Sequence, residues 1–252
     1  MARKSLVRVF LALLLSLPLG LVLGSGVAAA QPQTGFTSDF PVDDCTFARD
    51  GGNDLFLSLH PGDFLRLEGE DDGEAVVLVV TALNKTRTIK FTTKEGEEVL
   101  VKARIVEERE TVDGELVEVS RNFFARCVET NDVYYFGESV DIYENGEIVS
   151  HDGAWIAGKA GALPGIVMPG TFLLGSRYVQ EIAPGVAMDR GENTTSGLEI
   201  DNPAGSFSDC VEVIETSPLE PGHESRKVYC PDVGLVNDNE LELVDFERTD
   251  ED

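Results

Sequence analysis

The sequence predicts an all-β domain: a strongly curved antiparallel meander, half-barrel or barrel, with a two-sheet sandwich as the alternative. Three observations carry this expectation. Beyond residue 30, no stretch shows the apolar spacing of a long amphipathic helix. Short runs in which apolar and polar residues alternate recur instead. Gly, Asp, Asn and Pro separate them, and Val112-Asp113-Gly114 and Asn145-Gly146 are tight-hairpin signals.

The runs follow one another closely. Asp54 to His60 alternates Leu and Phe before the turn Pro61-Gly62-Asp63. Phe64 to Glu68 is next, then the turn Asp71-Asp72-Gly73, then the Val-rich run Ala75 to Thr81. Thr86 to Thr92 alternates Thr, Ile and Phe with Arg and Lys. Val99 to Glu110 and Leu116 to Val128 form a long hairpin, and Val133 to Phe136 succeeds it. Asp141 to Tyr143 and Glu147 to Val149 flank the Asn145-Gly146 turn. Ser176 to Ile182, Val186 to Asp189, Leu198 to Ile200, Asp209 to Thr216, Glu224 to Cys230 and Glu240 to Phe246 complete the series. A sheet with so many strands must curl or close. No Ser/Pro/Gly linker interrupts it, so residues 45–248 read as one domain. Residues 31–44 read as a flexible lead-in and residues 249–252 as an acidic tail.

The first thirty residues indicate export. Arg3, Lys4 and Arg8 precede an apolar run from Val9 to Leu23, and small residues end at Ala28-Ala29-Ala30. That order is a secretory signal peptide with cleavage after Ala30. A transmembrane anchor is the alternative, but the run is near the short limit for a span. The expected location is therefore secreted or periplasmic, with no transmembrane span once the signal is removed. The net charge is −26. Such a surface repels phosphate backbones, so nucleic acid is excluded as a partner. The acidic residues are expected to form a solvated face, suited to solubility or salt adaptation rather than to a specific cation.

Four Cys in an exported chain favour disulfides. Cys210 and Cys230 are equidistant from residue 220 at the centre of a hairpin, which sets them opposite each other. Cys45 with Cys127 is what remains. Free buried thiols are the alternative. No Cys-x-x-Cys pair exists, and His60, His151 and His223 are far apart, so no metal site and no cofactor are expected. Asp132 with Asn131, and Asp189 with Glu192 and Asn193, offer oxygen ligands for calcium, but both fit ordinary turn chemistry.

Ala157 to Leu174 breaks the strand rhythm, being apolar yet rich in Gly and Pro. Pro164 and Pro169 argue against a central strand, so Leu163 to Phe172 is expected as a loop over one mouth of the sheet, a lid or a plug. Ile166, Val167, Met168 and Phe172 would face inward. With Trp155 and Tyr178 they are the candidate ligand-binding residues.

Several segments resemble a family of uncharacterised secreted bacterial β-rich proteins. They are Tyr134 to Glu138, Asp141 to Trp155, Pro164 to Pro169, Tyr178 to Glu181, Gly185 to Ala187, Pro218 to Gly222 and Tyr229 to Val236. The resemblance implies an exported β-rich domain and no activity. Cys230 departs from the small residue of that pattern, so the Cys210–Cys230 link would not be general to the family.

No Gly-x-Ser-x-Gly elbow, Walker loop or His-Glu-x-x-His motif occurs. Ser150-His151-Asp152 cannot form a triad among adjacent residues. No catalytic residue is assigned. The expected function is a non-enzymatic exported domain that binds an apolar small molecule, or an envelope protein partner, in the concavity of the sheet. A structural or interaction module of the cell envelope without a ligand is the alternative. A carboxylate-dependent hydrolase ranks third. The exported chain is expected to start at Gln31, and intact-mass measurement of the exported protein checks this.

Overall fold

A computed structural model of the protein describes residues 35–48, 55–93 and 96–249. The expected signal peptide and residues 250–252 lie outside the described residues. The described chain is all-β, with one 3-10 turn at Val42–Asp44. No helix among the described residues is long and apolar enough to cross a membrane.

The first half is a run of hairpins: β1 (Phe64–Asp71), β2 (Glu74–Thr92), β3 (Glu98–Val112), β4 (Glu115–Arg126) and β5 (Val133–Glu144). Short strands follow: β6 (Glu147–Ser150), β7 (Trp155–Ile156), β8 (Leu163–Met168), β9 (Arg177–Val179) and β10 (Glu181–Ile182). A second meander ends the domain: β11 (Arg190–Asn202), β12 (Gly205–Thr216), β13 (Glu224–Cys230), β14 (Gly234–Asp238) and β15 (Leu241–Glu247). The strands form one antiparallel sheet in the order β10-β8-β5-β4-β3-β2-β1-β15-β14-β13-β12-β11-β9, with β6 and β7 also on β5.

The ladder does not close. Its two terminal strands, β9 and β10, are consecutive in the chain and separated only by Gln180. One extended segment therefore lies on both edges, pairing with β11 through residues 177–179 and with β8 through residues 181–182. This is how a long sheet avoids two exposed edges. Thr37 bridges Tyr178 on the free side of β9, and its backbone bonds Arg177 and Val179.

Several expected elements change. Residues 55–60 form bends rather than a strand, although Leu59 is wholly buried; the segment contributes a side chain to the core without joining a ladder. The runs at Ala75 and Thr86 belong to the single strand β2. Four steps of β2 oppose two of β3 between Ala82 and Thr86, which bends the strand. Val186 to Asp189 is a turn held by the bridge between Ala183 and Ala187. Leu163 to Met168 is a strand, not a loop. Pro164 is tolerated because the pairing with β5 begins only at Gly165, and the pairing with β10 is two residues long. Gly165 is needed there, since a Cβ would lie 2.3 Å from the Val179 carbonyl oxygen. Residues 35–44, expected as a flexible lead-in, pack on the barrel: Phe40 and Val42 join the core, and Arg177 and Arg190 cover the Phe36 ring.

The sheet carries apolar residues on both faces. Inside, Leu67, Leu78, Val213, Met168 and Leu243 form one cluster. Outside β3 to β5, Val101, Ala103, Phe123, Tyr134, Phe136 and Trp155 form another, covered by residues 40–47. Phe47 stacks edge-on against Tyr134 and Phe136, which favours the arrangement beyond its area.

Both expected disulfides are present, Cys45–Cys127 and Cys210–Cys230, and no described cysteine is free. The β12–β13 register pairs Val211 with Tyr229, so one further step sets Cys210 against Cys230. Cys45–Cys127 ties the covering segment to the end of β4. Loop entropy favours the longer closure. The sequence separations are 82 and 20 residues. Removing the pairs by Cys→Ala is expected to cost about 4.5 and about 3 kcal/mol respectively on that basis. Urea denaturation of the two double variants checks both the cost and the ranking.

Candidate functional site

The curved sheet lines a partly open cavity of about 130 Å³. One wall is apolar, with Leu65 from β1, Val80 and Ala82 from β2, and Val106 from β3. Carboxyl groups from separate strands share the lining: Glu108 on β3, which pairs across the ladder with Val80, Glu138 on β5, Glu181 on β10 and Glu215 on β12. Lys227 and Arg248 are the cations of the lining. The concavity therefore carries apolar and acidic groups together. The expectation that acidic residues form a solvated face fails for Glu110, Glu138, Glu181, Glu215 and Asp238, all of which are buried.

A bulge aims Glu138 inward. Along β5, Tyr134 and Phe136 face the outer cluster and Tyr135 faces in. Strict alternation would send Glu138 outward with them. The register instead pairs Asn122 with Glu138 and Phe124 with Tyr135, so three steps of β5 oppose two of β4. The extra residue reverses the alternation. Gly137 makes it possible: its φ is +134°, and a Cβ would lie 2.4 Å from the Trp155 carbonyl oxygen. The Tyr135 hydroxyl donates to Asn122 Oδ1 at 2.7 Å and also hydrogen-bonds Glu138.

The seam between β9 and β10 supplies the next groups. Gln180 donates from Nε2 to Glu215 Oε1 at 2.6 Å. Glu181 Oε1 accepts the Asp189 backbone N–H, which ties the seam to the 183–189 turn. Lys227 Nζ contacts Asp238 Oδ2 at 2.9 Å and Glu215 Oε2 at 3.9 Å. The latter contact is the longer of the two ion pairs.

On β3 the inward residues are Val106, Glu108 and Glu110. Glu108 keeps accessible surface because it faces the cavity while lying deep in the protein. Glu110 is 5% exposed, and its Oε1 has no hydrogen-bond partner. Burial removes water from these groups and disfavours their charged form. It pushes Glu110 up to about 9, with repulsion from Glu118 and Asp238 adding to it. Glu118 is pushed up to about 8 by burial and by Glu108. Burial also raises Glu138 and Glu181 well above the carboxylate range, helped by Glu118 and by Asp189 respectively. Glu215 reaches only about 7, because Lys227 and Gln180 oppose the effect of burial. Asp189, buried but bonded by Ser217, reaches about 6. Burial alone would lower Lys227, but Asp238 and Glu215 outweigh it and hold Lys227 above its ordinary value.

Of the six candidate ligand-binding residues, only Val167 lines the cavity. Met168 is buried in the inner cluster, and Phe172 packs against that cluster and the Phe56 ring. Trp155, Ile166 and Tyr178 belong to the outer cluster, where Tyr178 donates to Asn193 Oδ1 at 3.0 Å. The residues that do converge, Tyr135, Glu138, Gln180, Glu181 and Tyr229, come from the segments Tyr134 to Glu138, Tyr178 to Glu181 and Tyr229 to Val236. The calcium candidates are engaged in the fold: Asp132 accepts the Gly170 N–H, and Glu192 pairs with Arg177. Among the described residues, the one three-residue group with ligand atoms close enough for a metal is Cys45, Cys127 and Glu129, and both of its thiols are in a disulfide.

These raised carboxyls give stability an inverse dependence on pH. The folded chain holds protons that the unfolded chain has released. That stability is complete below the ordinary carboxylate value and is lost as pH rises through the folded values. Those values run from about 6 for Asp189 to about 9 for Glu110. The melting temperature is therefore expected to fall between about pH 5 and about pH 9 at constant ionic strength. Glu110→Gln, which cannot ionise, is expected to be more stable than the natural chain at the upper end by about 1–3 kcal/mol. Calorimetry across the pH range checks both.

No family model matches the chain, and no curated protein or solved structure matches it.

Proposed function

We propose that this chain is an exported, non-enzymatic binding domain that holds a compact small molecule with an apolar body in the cavity inside its barrel. The observation that carries the reading is the cavity itself, lined by the apolar Leu65, Val80, Ala82 and Val106 together with polar groups. Pockets for small molecules share that combination of apolar surface and a few polar groups that orient the ligand. At about 130 Å³ the space is close to an engineered cavity of about 150 Å³ that accepts benzene. Two disulfides support an extracytoplasmic setting. Membership of an exported bacterial family is part of the same proposal and rests on the resemblance of the segments named in the sequence.

A hydrolase reading has less support. It needs a carboxylic acid opposite an ionised carboxylate across a substrate cleft. The cavity carboxyls with ion-pair partners are buried and engaged: Glu215 by Gln180 and Lys227, and Asp63 by Arg248.

Filling the cavity tests the proposal. Ala82 is 3% exposed and lines the apolar wall. Ala82→Leu is expected to abolish binding of small aromatic probes, read by ligand-observed NMR, at a stability change of about 1–3 kcal/mol. Undiminished probe binding by the folded variant would remove the cavity as the site.

A further inference from the structure

We propose that the Cys45–Cys127 disulfide is a redox-sensitive clamp: its reduction frees residues 37–45 from the outer face of the sheet while the barrel stays folded. Two independent observations point there. The first is access. Cys210 and Cys230 are 0% and 1% exposed, so their bond is closed to a reductant until the strands around it part. Cys127 is also wholly buried, but its partner Cys45 is partly exposed. A thiolate has to reach only one sulfur of a disulfide to break it, and access helps to set the rate.

The second is how the covering strap is held. Its backbone bonds the sheet at its two ends. At one end Thr37 bonds Arg177 and Val179; at the other, Thr46 and Ala48 bond Val128 and Arg126. Glu129 Oε2 also accepts the Thr46 N–H at 2.7 Å. Between these ends, the backbone bonds of Val42, Asp44 and Cys45 stay within the strap, around its 3-10 turn. The middle of the strap is therefore held by the disulfide and by apolar packing. Phe40 and Phe47 meet the Tyr134 ring edge-on, with centroids 6.1 and 5.7 Å away. That packing is imperfect. A gap of about 30 Å³ lies between Phe40 and Val42 of the strap and Phe91 and Pro164 of the sheet. The buried Tyr134 hydroxyl has no hydrogen-bond partner. Lifting the strap lets water reach that hydroxyl, which offsets part of the cost of opening.

A dithiol reductant supplies the two electrons. One of its thiolates attacks Cys45 Sγ and forms a mixed disulfide, while Cys127 leaves as a thiolate and takes a proton. Glu129 Oε2 lies 3.5 Å from Cys127 Sγ, placed to accept the resulting S–H. The second thiol of the reductant then attacks its own mixed-disulfide sulfur. Cys45 leaves and is protonated, and the reductant departs as a cyclic disulfide. The protein disulfide has become two thiols, and the dithiol has been oxidised. The strap keeps only its end bonds and its packing. Residues 37–45 then join the low-stability part of the chain, from which moving elements are drawn. The face they uncover is the aromatic one of Tyr134 and Phe136.

The test is stepwise reduction of the oxidised protein by dithiothreitol without denaturant. Thiols are trapped by alkylation and located by peptide mass, and amide hydrogen exchange is measured on the chain reduced at one pair. Cys45 and Cys127 are expected to label at least about tenfold faster than Cys210 and Cys230. In that form the amides of residues 40–45 are expected to exchange at least about tenfold faster than in the oxidised protein, while β11 to β15 keep their protection. Reoxidation of the unalkylated chain by glutathione disulfide restores the slow exchange. Equal labelling of all four cysteines, the mark of reduction through global unfolding, overturns the proposal, as does a failure of Cys45 to label short of denaturation. Selective labelling with unchanged exchange in residues 40–45 also overturns it, because the strap would then stay in place without its clamp.

Discussion

The architecture depends on one constraint: a single extended segment, residues 177–182, has to serve both edges of the sheet. An open sheet of this length would present two rows of unpaired backbone groups. Here the two edges are joined through Gln180 rather than through a ladder. The joint has close contacts on every side. Gly165 of β8 approaches the Val179 carbonyl where no side chain fits, Thr37 covers the outer side of β9, and the Gln180 side chain turns inward to Glu215. A loss of pairing at this point would open the barrel and expose the carboxyl groups inside it.

Those carboxyl groups are the second constraint, and they oppose the first. Hydrophobic burial closes the barrel, while each interior carboxyl loses its hydration. The conflict is reduced in two ways. Lys227 bridges Asp238 and Glu215 on the side of β13 and β14. Elsewhere the carboxyls keep their protons, as the upward displacement of Glu110, Glu118, Glu138 and Glu181 shows. A protonated acid is both donor and acceptor, so the contact between Glu138 and Tyr135 needs no charge.

The outer cluster adds apolar burial to a sheet whose interior is partly polar. Tyr134, Phe136 and Phe123 sit on the convex side of β4 and β5, where a simple barrel would meet water. The Cys45–Cys127 link and residues 40–47 cover them. Apolar burial on this face holds β4 and β5 in place independently of what fills the cavity. The bulge at Phe136–Gly137 can then direct Glu138 inward without loss of order.

The sequence by itself determined the class of fold, most of the hairpins and both disulfides. These are local signals: alternation of period two, Asp-Gly and Asn-Gly turns, and Cys residues symmetric about a turn. The Cys210–Cys230 pair was legible because hairpin register is set by its own turn. What the tertiary structure alone decided is which side each residue faces wherever the alternation breaks. Glu138 lies inward because of one extra residue in β5, and nothing in Tyr-Tyr-Phe-Gly-Glu says that the bulge falls there. Pro164 sits in a strand because its neighbours happen not to need its missing N–H. Glu108 and Glu110 look like the polar positions of a solvated hairpin until curvature turns that face of β3 into the lumen. Burial is a property of the curved sheet, whose two edges meet at residues 177–182 through pairings between segments far apart in the chain.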